Sequence, residues 1–574
     1  MNATGWILFI LIIQVIHFLG TWKLYVKAGR KAWEAAVPVY NAIVLMKIIN
    51  RPKWWVILLF IPIINLLMFP VIWVETIRSF GRNSLLETWL VILTLGFYIY
   101  YVNYMLDVKY VENRSLHPQS AAGEWVSSIV FAIVAATLVH TYFIQPYVIP
   151  TGSLERTLRI GDLLFVSKFH YGARTPMTAI AAPMVHDTLP FIGTRSYLNK
   201  PQIPYFRLPG FKKIKRNDIV VFSWPADTVR IFFKKEKGVD KPIDKKSNYV
   251  KRCVGLPGDS LEVKNGFVYI NNKPLELSDR AKVQFDYTIY SSKGVSTKLL
   301  QELGVTEFYR TFITNGLSPD QAKIVNDYIV GYGPRGNDKF ELRTKDTGFP
   351  IEVIRKYGLS LTEETGRIRQ ATLTDEMVAA LRNNSAIDSV VQIIDPKGLR
   401  GANLFPQSTD YPWNYDQMGP IYIPKAGTTV PLNLKVLPLY KKILREYEGN
   451  TVGVKGNQVT INGEVADSYT FKQDYYWMMG DNRDHSEDSR AWGYVPENHI
   501  VGTPIFIWLS FDNFKDARGL NVNPPWKWKP RWDRIFTTVN GSGEPVSYFK
   551  YFLIALALYF VGDYFWKKRK DSSK

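Results

Sequence analysis

Apolar residues in this chain are bunched rather than spread. Five stretches approach the roughly 20 apolar residues that a helix needs to cross a bilayer: 5–22, 54–73, 88–106, 125–144 and 548–566. The second carries Pro62 and Pro70, which makes it a kinked or re-entrant candidate. Between the fourth and the fifth, residues 145–545 are mixed and polar, as expected of a domain in water tethered at both ends. The pattern there turns strand-like. Asp162 to Phe169, Asp218 to Trp224 and Phe267 to Ile270 are short β-branched and aromatic runs between turn residues. Asn271-Asn272 and Asn462-Gly463 read as hairpin turns. The stretch Asn265 to Asn272 looks like Gly456 to Gly463, either a repeated hairpin or a coincidence. Residues 285–410 differ in character. Ser318-Pro319-Asp320-Gln321 reads as a helix start, with a Ser cap, Pro in the first turn and Gln at the third position. Thr374-Asp375-Glu376-Met377 opens another helix, with Met377 and Leu381 at helical spacing.

These patterns predict transmembrane helices plus a β-rich domain, mainly antiparallel, with an inserted and partly helical lobe. The expected divisions are an N-terminal multi-span region (1–123), a membrane anchor (124–145), the β-rich domain in two pieces (146–284 and 411–545), the lobe (285–410), and a last span with a basic tail (546–574).

Composition sharpens this picture. A chain of 574 residues is too long for one core. The net charge of +20 raises nucleic acid as a partner, but much of the excess flanks the apolar stretches, where basic residues meet anionic headgroups. No motif for DNA or RNA is present. Lys and Arg also set orientation. Lys23, Lys27, Arg30, Lys31, Lys47, Arg51 and Lys53 stand against Glu34 after the first stretch, and Lys567-Lys568-Arg569-Lys570 follows the last. Both belong in the cytoplasm. With five spans the N-terminus lies outside, the C-terminus inside, and the large domain faces outward. The loop 74–87, with Arg78 and Arg82, would then lie outside, against the rule. The first stretch has no positive charge before it and no small-x-small site after it, so it reads as a retained span rather than a cleaved leader. The single Cys253 excludes an internal disulfide and a multi-cysteine metal site. The seven His residues include no His-x-x-x-His pair, so neither a metal nor another cofactor is expected.

The candidate chemistry lies in Tyr249-Val250-Lys251-Arg252-Cys253-Val254-Gly255-Leu256-Pro257-Gly258-Asp259, a strand-like run ending in a Pro-Gly turn. An ammonium losing water there has its pKa lowered. A Lys that is neutral near pH 7 can take a proton from a hydroxyl. Ser153, in Ile149-Pro150-Thr151-Gly152-Ser153 just after an apolar stretch, is the candidate hydroxyl. Amide hydrolysis needs a nucleophile, a base and donors for the oxyanion. Ser153 would attack and Lys251 would act as base. The Ser153 N–H and the Thr151 hydroxyl would serve the oxyanion. Gly152 would permit unusual backbone there. Cys253, two residues from Lys251, shares its strand face and reads as packing. His485 beside Ser486 suggests a Ser-His-Asp triad, but no Gly-x-Ser-x-Gly elbow occurs.

Four segments, in order, resemble the type I signal peptidase family. Pro150-Thr151-Gly152-Ser153-Leu154-Glu155-Arg156-Thr157-Leu158 is similar to its nucleophile segment, and Arg216 to Phe222 to the next. Lys251 to Asp259 is similar to its Lys segment almost letter for letter. Gly480-Asp481-Asn482-Arg483-Asp484-His485-Ser486-Glu487-Asp488-Ser489-Arg490 matches its last segment. The resemblance covers 125–275 and 450–510. It implies Ser153 as nucleophile, Lys251 as base, Ser486 orienting the amine, and Thr151 where the family has an oxyanion Ser. Asp481, Arg483, Asp488 and Arg490 would form a supporting salt-bridge network. Leu154 stands for the usual Met and Arg156 for the usual Pro, and the stretch between Lys251 and Ser486 is long. The resemblance implies a membrane serine endopeptidase in the bacterial inner membrane, multi-pass, with its catalytic domain on the periplasmic side. Its implied partners are preprotein signal peptides cut after small-x-small sites, the lipid bilayer and the secretion translocon. Substrate would lie extended beside an edge strand. Two other readings remain at this point: an inactive scaffold, which loss of Ser153 or Lys251 would have favoured, and a transporter or assembly role for 1–123.

Overall fold

The computed structural model describes residues 3–116, 121–228, 238–336 and 339–572. The chain divides into two compact units. One comprises Met1–Gln145, Lys168–Phe211 and Asp227–Ser247; the other comprises Pro146–Ser167, Lys212–Ala226 and Asn248–Lys574.

The first unit opens with helix α1 (Ala3–Lys27), followed by α2 (Tyr40–Ile48), α3 (Trp55–Leu58), α4 (Ile64–Arg78), α5 (Leu85–Leu93), α6 (Tyr98–Tyr104) and α7 (Ala121–Leu138). Among the described residues, three helices are long and apolar enough to cross a membrane: Ile7–Lys27, Ala121–Phe143 and Phe549–Arg569. The other two expected spans are broken. In 54–73, α3 ends after one turn and Ile63 turns left-handed (φ 70°) before α4 begins. In 88–106, Leu95 (φ 51°) and Gly96 (φ 87°) sit between α5 and α6, which differ in direction by 118°. A left-handed residue cannot continue a right-handed helix. Mean hydropathy does not register such a break. The core of this unit gathers Leu24 and Tyr25 from α1, Val44, Met46 and Ile49 around α2, Ile72 and Ile77 of α4, and Val102 of α6.

The second unit is built on an antiparallel sheet. Strand Asp162–Ser167 pairs with the long strand Ile500–Asp512, which pairs with Ile219–Ser223. That strand pairs with Asn248–Gly255, and this in turn with Tyr475–Met479. The three runs read as strands from the sequence thus form, within a residue or two. Lys251 lies on an interior strand, opposite Val220. Beneath the sheet, Ile149, Leu154, Leu158, Leu164, Val166, Ile219, Val221, Val501, Ile507 and Val539 pack as one cluster.

The two similar stretches are a true structural repeat. Ser260–Lys264, Phe267–Ile270 and Lys273–Pro274 form one three-strand meander; Val452–Lys455, Gln458–Ile461 and Glu464–Val465 form the other. Both close through two-residue loops, with Ile270 opposite Lys273 and Ile461 opposite Glu464. In each, an Asn takes left-handed φ at the turn (Asn271, 50°; Asn462, 54°). The same Asn accepts a hydrogen bond on its side chain, from the N–H of Ser260 in one copy (3.0 Å) and of Thr451 in the other (2.9 Å).

Residues 284–392 carry a three-stranded sheet (284–290, 368–374, 389–392) and a four-stranded one (309–314, 329–334, 340–345, 362–364). This stretch is richer in strand than expected. Both foreseen helix starts are present: Ser318 caps Pro319–Val325 in a full capping box with Gln321, and Thr374 caps Asp375–Arg382.

Candidate active site

The segment 149–158 is held from below and from both ends. Leu154 and Leu158 are sunk into the core, 1% and 0% exposed. The backbone of Ile149 bonds with Asp162 and Gly161, which joins the segment to the strand that follows. The Ser153 carbonyl accepts the Asn482 N–H at 3.1 Å. Between these ties Ser153 is buried, and the amine of Lys251 lies 2.5 Å from its Oγ. The two residues are 98 positions apart in the chain. Among the described residues Lys251 forms no ion pair. Burial pushes its pKa down to about 8, while Asp488 and Glu487 partly resist the fall.

Gly152 differs from expectation. Its backbone is not left-handed; a side chain there would instead meet Glu307 Oε1, with 3.1 Å to an added Cβ. The left-handed residue is Arg156 (φ 73°), two places past Leu154. Two of the Arg156 guanidinium nitrogens, Nε and Nη2, are buried without a hydrogen-bond partner among the described residues. Thr151 is exposed at the mouth of the segment.

Ser486 is buried, and its Oγ has no hydrogen-bond partner among the described residues, so the expected bond to the Lys251 amine is not formed. It nevertheless sits at the site. An added Cβ on Gly480 would fall 2.2 Å from Ser486 Oγ and 2.5 Å from the Ser153 carbonyl. Only a glycine lets these two groups approach.

The four charged residues expected as one salt-bridge network form two separate arrangements. Asp488 pairs with Arg490 through both carboxylate oxygens, at 2.9 and 2.8 Å. Asp481 instead takes a bidentate bond from Arg252, at 2.7 and 2.6 Å, and a third from Thr157 Oγ1 at 2.6 Å. Among the described residues Arg483 makes no ion pair. It donates to the carbonyls of Gly480 (3.0 Å) and Gly266 (3.2 Å), and its own carbonyl accepts Arg490 at 2.6 Å. Burial opposes the charge on Asp481 and Asp488, but Arg252 and Arg490 overcome it and hold both pKa values below the usual range. Burial brings Arg483, which lacks a paired carboxylate, down to about 10.

Sequence reasoning missed three contributors. Arg252 was in view beside Lys251, and its alternation to the other strand face was the available signal. Asn482 spans the site: its Nδ2 donates to the Gly152 carbonyl at 3.1 Å and to Glu307 at 2.8 Å. Glu307 had no local signal. Burial and the Glu307 carboxylate raise Glu155 to about 7. His485 bonds Asp286 at 3.1 Å rather than a serine, which leaves no triad around Ser486. Cys253 is fully buried, and burial pushes its thiol pKa well up, as packing rather than nucleophilic character requires.

A buried Ser hydroxyl against a buried, uncompensated Lys amine defines a site equipped for acyl transfer. Comparison with known proteins gives the same class. Residues 122–308 and 438–509 match the family described as signal peptidase, peptidase S26. The signal peptidase I of Buchnera aphidicola (subsp. Acyrthosiphon pisum) is 22% identical over 435 residues, 73% of this chain and 89% of that protein. The signal peptidase I of Rickettsia massiliae is 28% identical over 223 residues, 38% of this chain and 67% of that protein. That of Haemophilus influenzae is 22% identical over 437 residues, 75% of this chain and 79% of its own. Residues 122–308 and 438–509 thus carry a signal peptidase domain of the S26 type, and the signal peptidase I relatives support a serine endopeptidase of that type. Residues 33–113 match a separate family of unknown function.

Proposed function

We propose that this protein removes N-terminal signal peptides from exported preproteins after small-x-small sites, with Ser153 as nucleophile and Lys251 as general base. The observation that carries this reading is the 2.5 Å contact between Lys251 Nζ and Ser153 Oγ, both out of water. As Ser153 Oγ adds to the scissile carbonyl, its proton passes to the neutral amine. The Ser153 N–H and the Thr151 hydroxyl receive the oxyanion. The protonated Lys251 then gives its proton to the departing amine, leaving an ester on Ser153. Water, deprotonated by the same amine, adds to the ester; the proton returns to Ser153 and the signal peptide leaves as an acid. Ser486 supplies a buried hydroxyl beside the nucleophile segment that can accept from the ammonium once it forms. A preprotein lying over the site removes more water from Lys251 and lowers its pKa further.

On this reading residues 146–284 and 411–545 are the catalytic domain on the periplasmic side of a bacterial inner membrane, and 285–410 is an inserted lobe. Residues 124–145 and 546–574 anchor the domain, so that the end of a signal peptide's apolar part meets the nucleophile without a search. Preproteins, the bilayer and the secretion translocon are the partners. The test is cleavage of a preprotein by purified protein in lipid vesicles. Ser153→Ala and Lys251→Ala should each abolish cleavage while the protein still elutes as a folded species. Near-normal cleavage by either variant refutes the dyad.

A further inference from the structure

We infer that residues 28–114 do not cross the bilayer but sit in the cytoplasmic leaflet, entering and leaving on the face where α1 ends. With five spans, residues near 51 and near 112 would lie inside and residues 74–87 outside, separated by roughly 30 Å of hydrocarbon. The contacts forbid that separation. Glu75, near the end of α4, accepts Arg51 Nε at 3.0 Å and is also paired with Arg114. The Ser79 carbonyl accepts the Val111 N–H at 2.9 Å, and Ser79 Oγ accepts Arg114 Nε at 3.0 Å. Asn50 donates to the Glu112 carbonyl at 2.6 Å, and Arg114 to the Ile49 carbonyl at 3.0 Å. The start of the α3–α4 segment, the end of α4 and the stretch after α6 therefore share one polar layer. Lys27, the last residue of α1, reaches the Leu106 carbonyl at 3.5 Å, which joins that layer to the basic end of the first span.

The depth of the remaining elements follows from α1 as a ruler. Tyr100 Oη donates to the Ile16 carbonyl, and Tyr104 Oη to the Leu19 carbonyl. Ile16 is eleven residues above Lys27, or roughly 16 Å at helical rise. The start of α6 is thus near mid-bilayer, and its end returns to the surface. At 9 and 7 residues, α5 and α6 are roughly 13 and 10 Å long, so the bent pair is a hairpin dipping through half a bilayer. Exposed Ile57, Phe60, Leu93, Leu95 and Phe97 supply the apolar rim that acyl chains cover. Arg78 and Arg82 then lie on the same side as Lys23 to Lys53, which removes the charge anomaly that five spans create. The occupant of this surface is the lipid of that leaflet.

Single-site labelling separates the two topologies. The native Cys253 is 0% exposed and stays silent to a membrane-impermeant maleimide. Asn83→Cys and Lys53→Cys each place a thiol at an exposed position. In osmotically intact cells neither should react, and both should react once the membrane is permeabilised. An epitope inserted between Asn83 and Ser84, probed by antibody, repeats the measurement without a thiol. Labelling at 83 in intact cells overturns the inference, whatever the outcome of the cleavage assays.

Discussion

Lys251 and Arg252 are neighbours on one strand, both cationic and both nearly sealed from water, yet they face opposite surroundings. Arg252 meets a carboxylate that fits its fork, with bonds of 2.7 and 2.6 Å to Asp481. Lys251 meets a neutral hydroxyl at 2.5 Å and, among the described residues, is paired with no carboxylate. The first arrangement balances charge and fixes the chain. The second leaves an amine that gives up its proton more readily than one in water, as a general base must. On the proposed mechanism, matched burial builds the fold and unmatched burial builds the base.

The comparison can be broken by making the same replacement on both sides. Arg252→Met should leave Asp481 as a buried anion without its cation and cost about 3–5 kcal/mol of stability, with activity lost through the fold. Lys251→Met should abolish cleavage while stability holds or rises, because an unpaired amine is replaced by an apolar chain of similar length. Denaturant melts of the two purified variants, read beside preprotein cleavage, decide this. Equal stability losses would erase the distinction.

A pH series sharpens it. The Lys251 pKa is depressed from its ordinary 10.5 to about 8, so the amine is neutral above that point and protonated below it. The rate should therefore climb as pH rises through about 8 and fall by about tenfold per unit on the acid side. In Ser153-intact protein a flat profile from pH 6 to 9 would contradict a titrating base. The smallest effect belongs to Glu307→Gln. This side chain acts on the Ser153 segment through the Asn482 amide, the space beside Gly152 and its charge on Glu155, so kcat/KM should change by less than about tenfold. A loss above a hundredfold would move Glu307 into the chemistry.

What could be read from the sequence depended on the range of the interaction. Strand runs, the Asn turns and the Ser318 and Thr374 caps are set by neighbours a few residues away, and the structure has them in place. The Ser153 and Lys251 segments could be recognised because each carries its own local signature, although nothing in either announces the other. The two missed breaks, at Ile63 and Leu95, are single left-handed residues inside strongly apolar text. No composition average resolves a one-residue change of φ. Glu307 comes from 154 positions beyond Ser153, and only tertiary packing brings it to the segment. The separate fates of Arg252 and Arg483 likewise turn on which carbonyl or carboxylate the fold presents to each.

Asp162 draws this account to a practical point. It is the residue that follows the Gly161 tie of the Ser153 segment, and it is fully buried between Arg531 and Arg534, the latter bonding it at 2.5 and 3.2 Å. Arg534 also grips the Thr157 carbonyl, and Val539 plugs the cluster below. The match to the peptidase family stops at residue 509, so trimming the protein at that limit for crystallisation would cut away its own clamp. A shortened version intended to stay active has to run beyond Val539 before the last helix is removed.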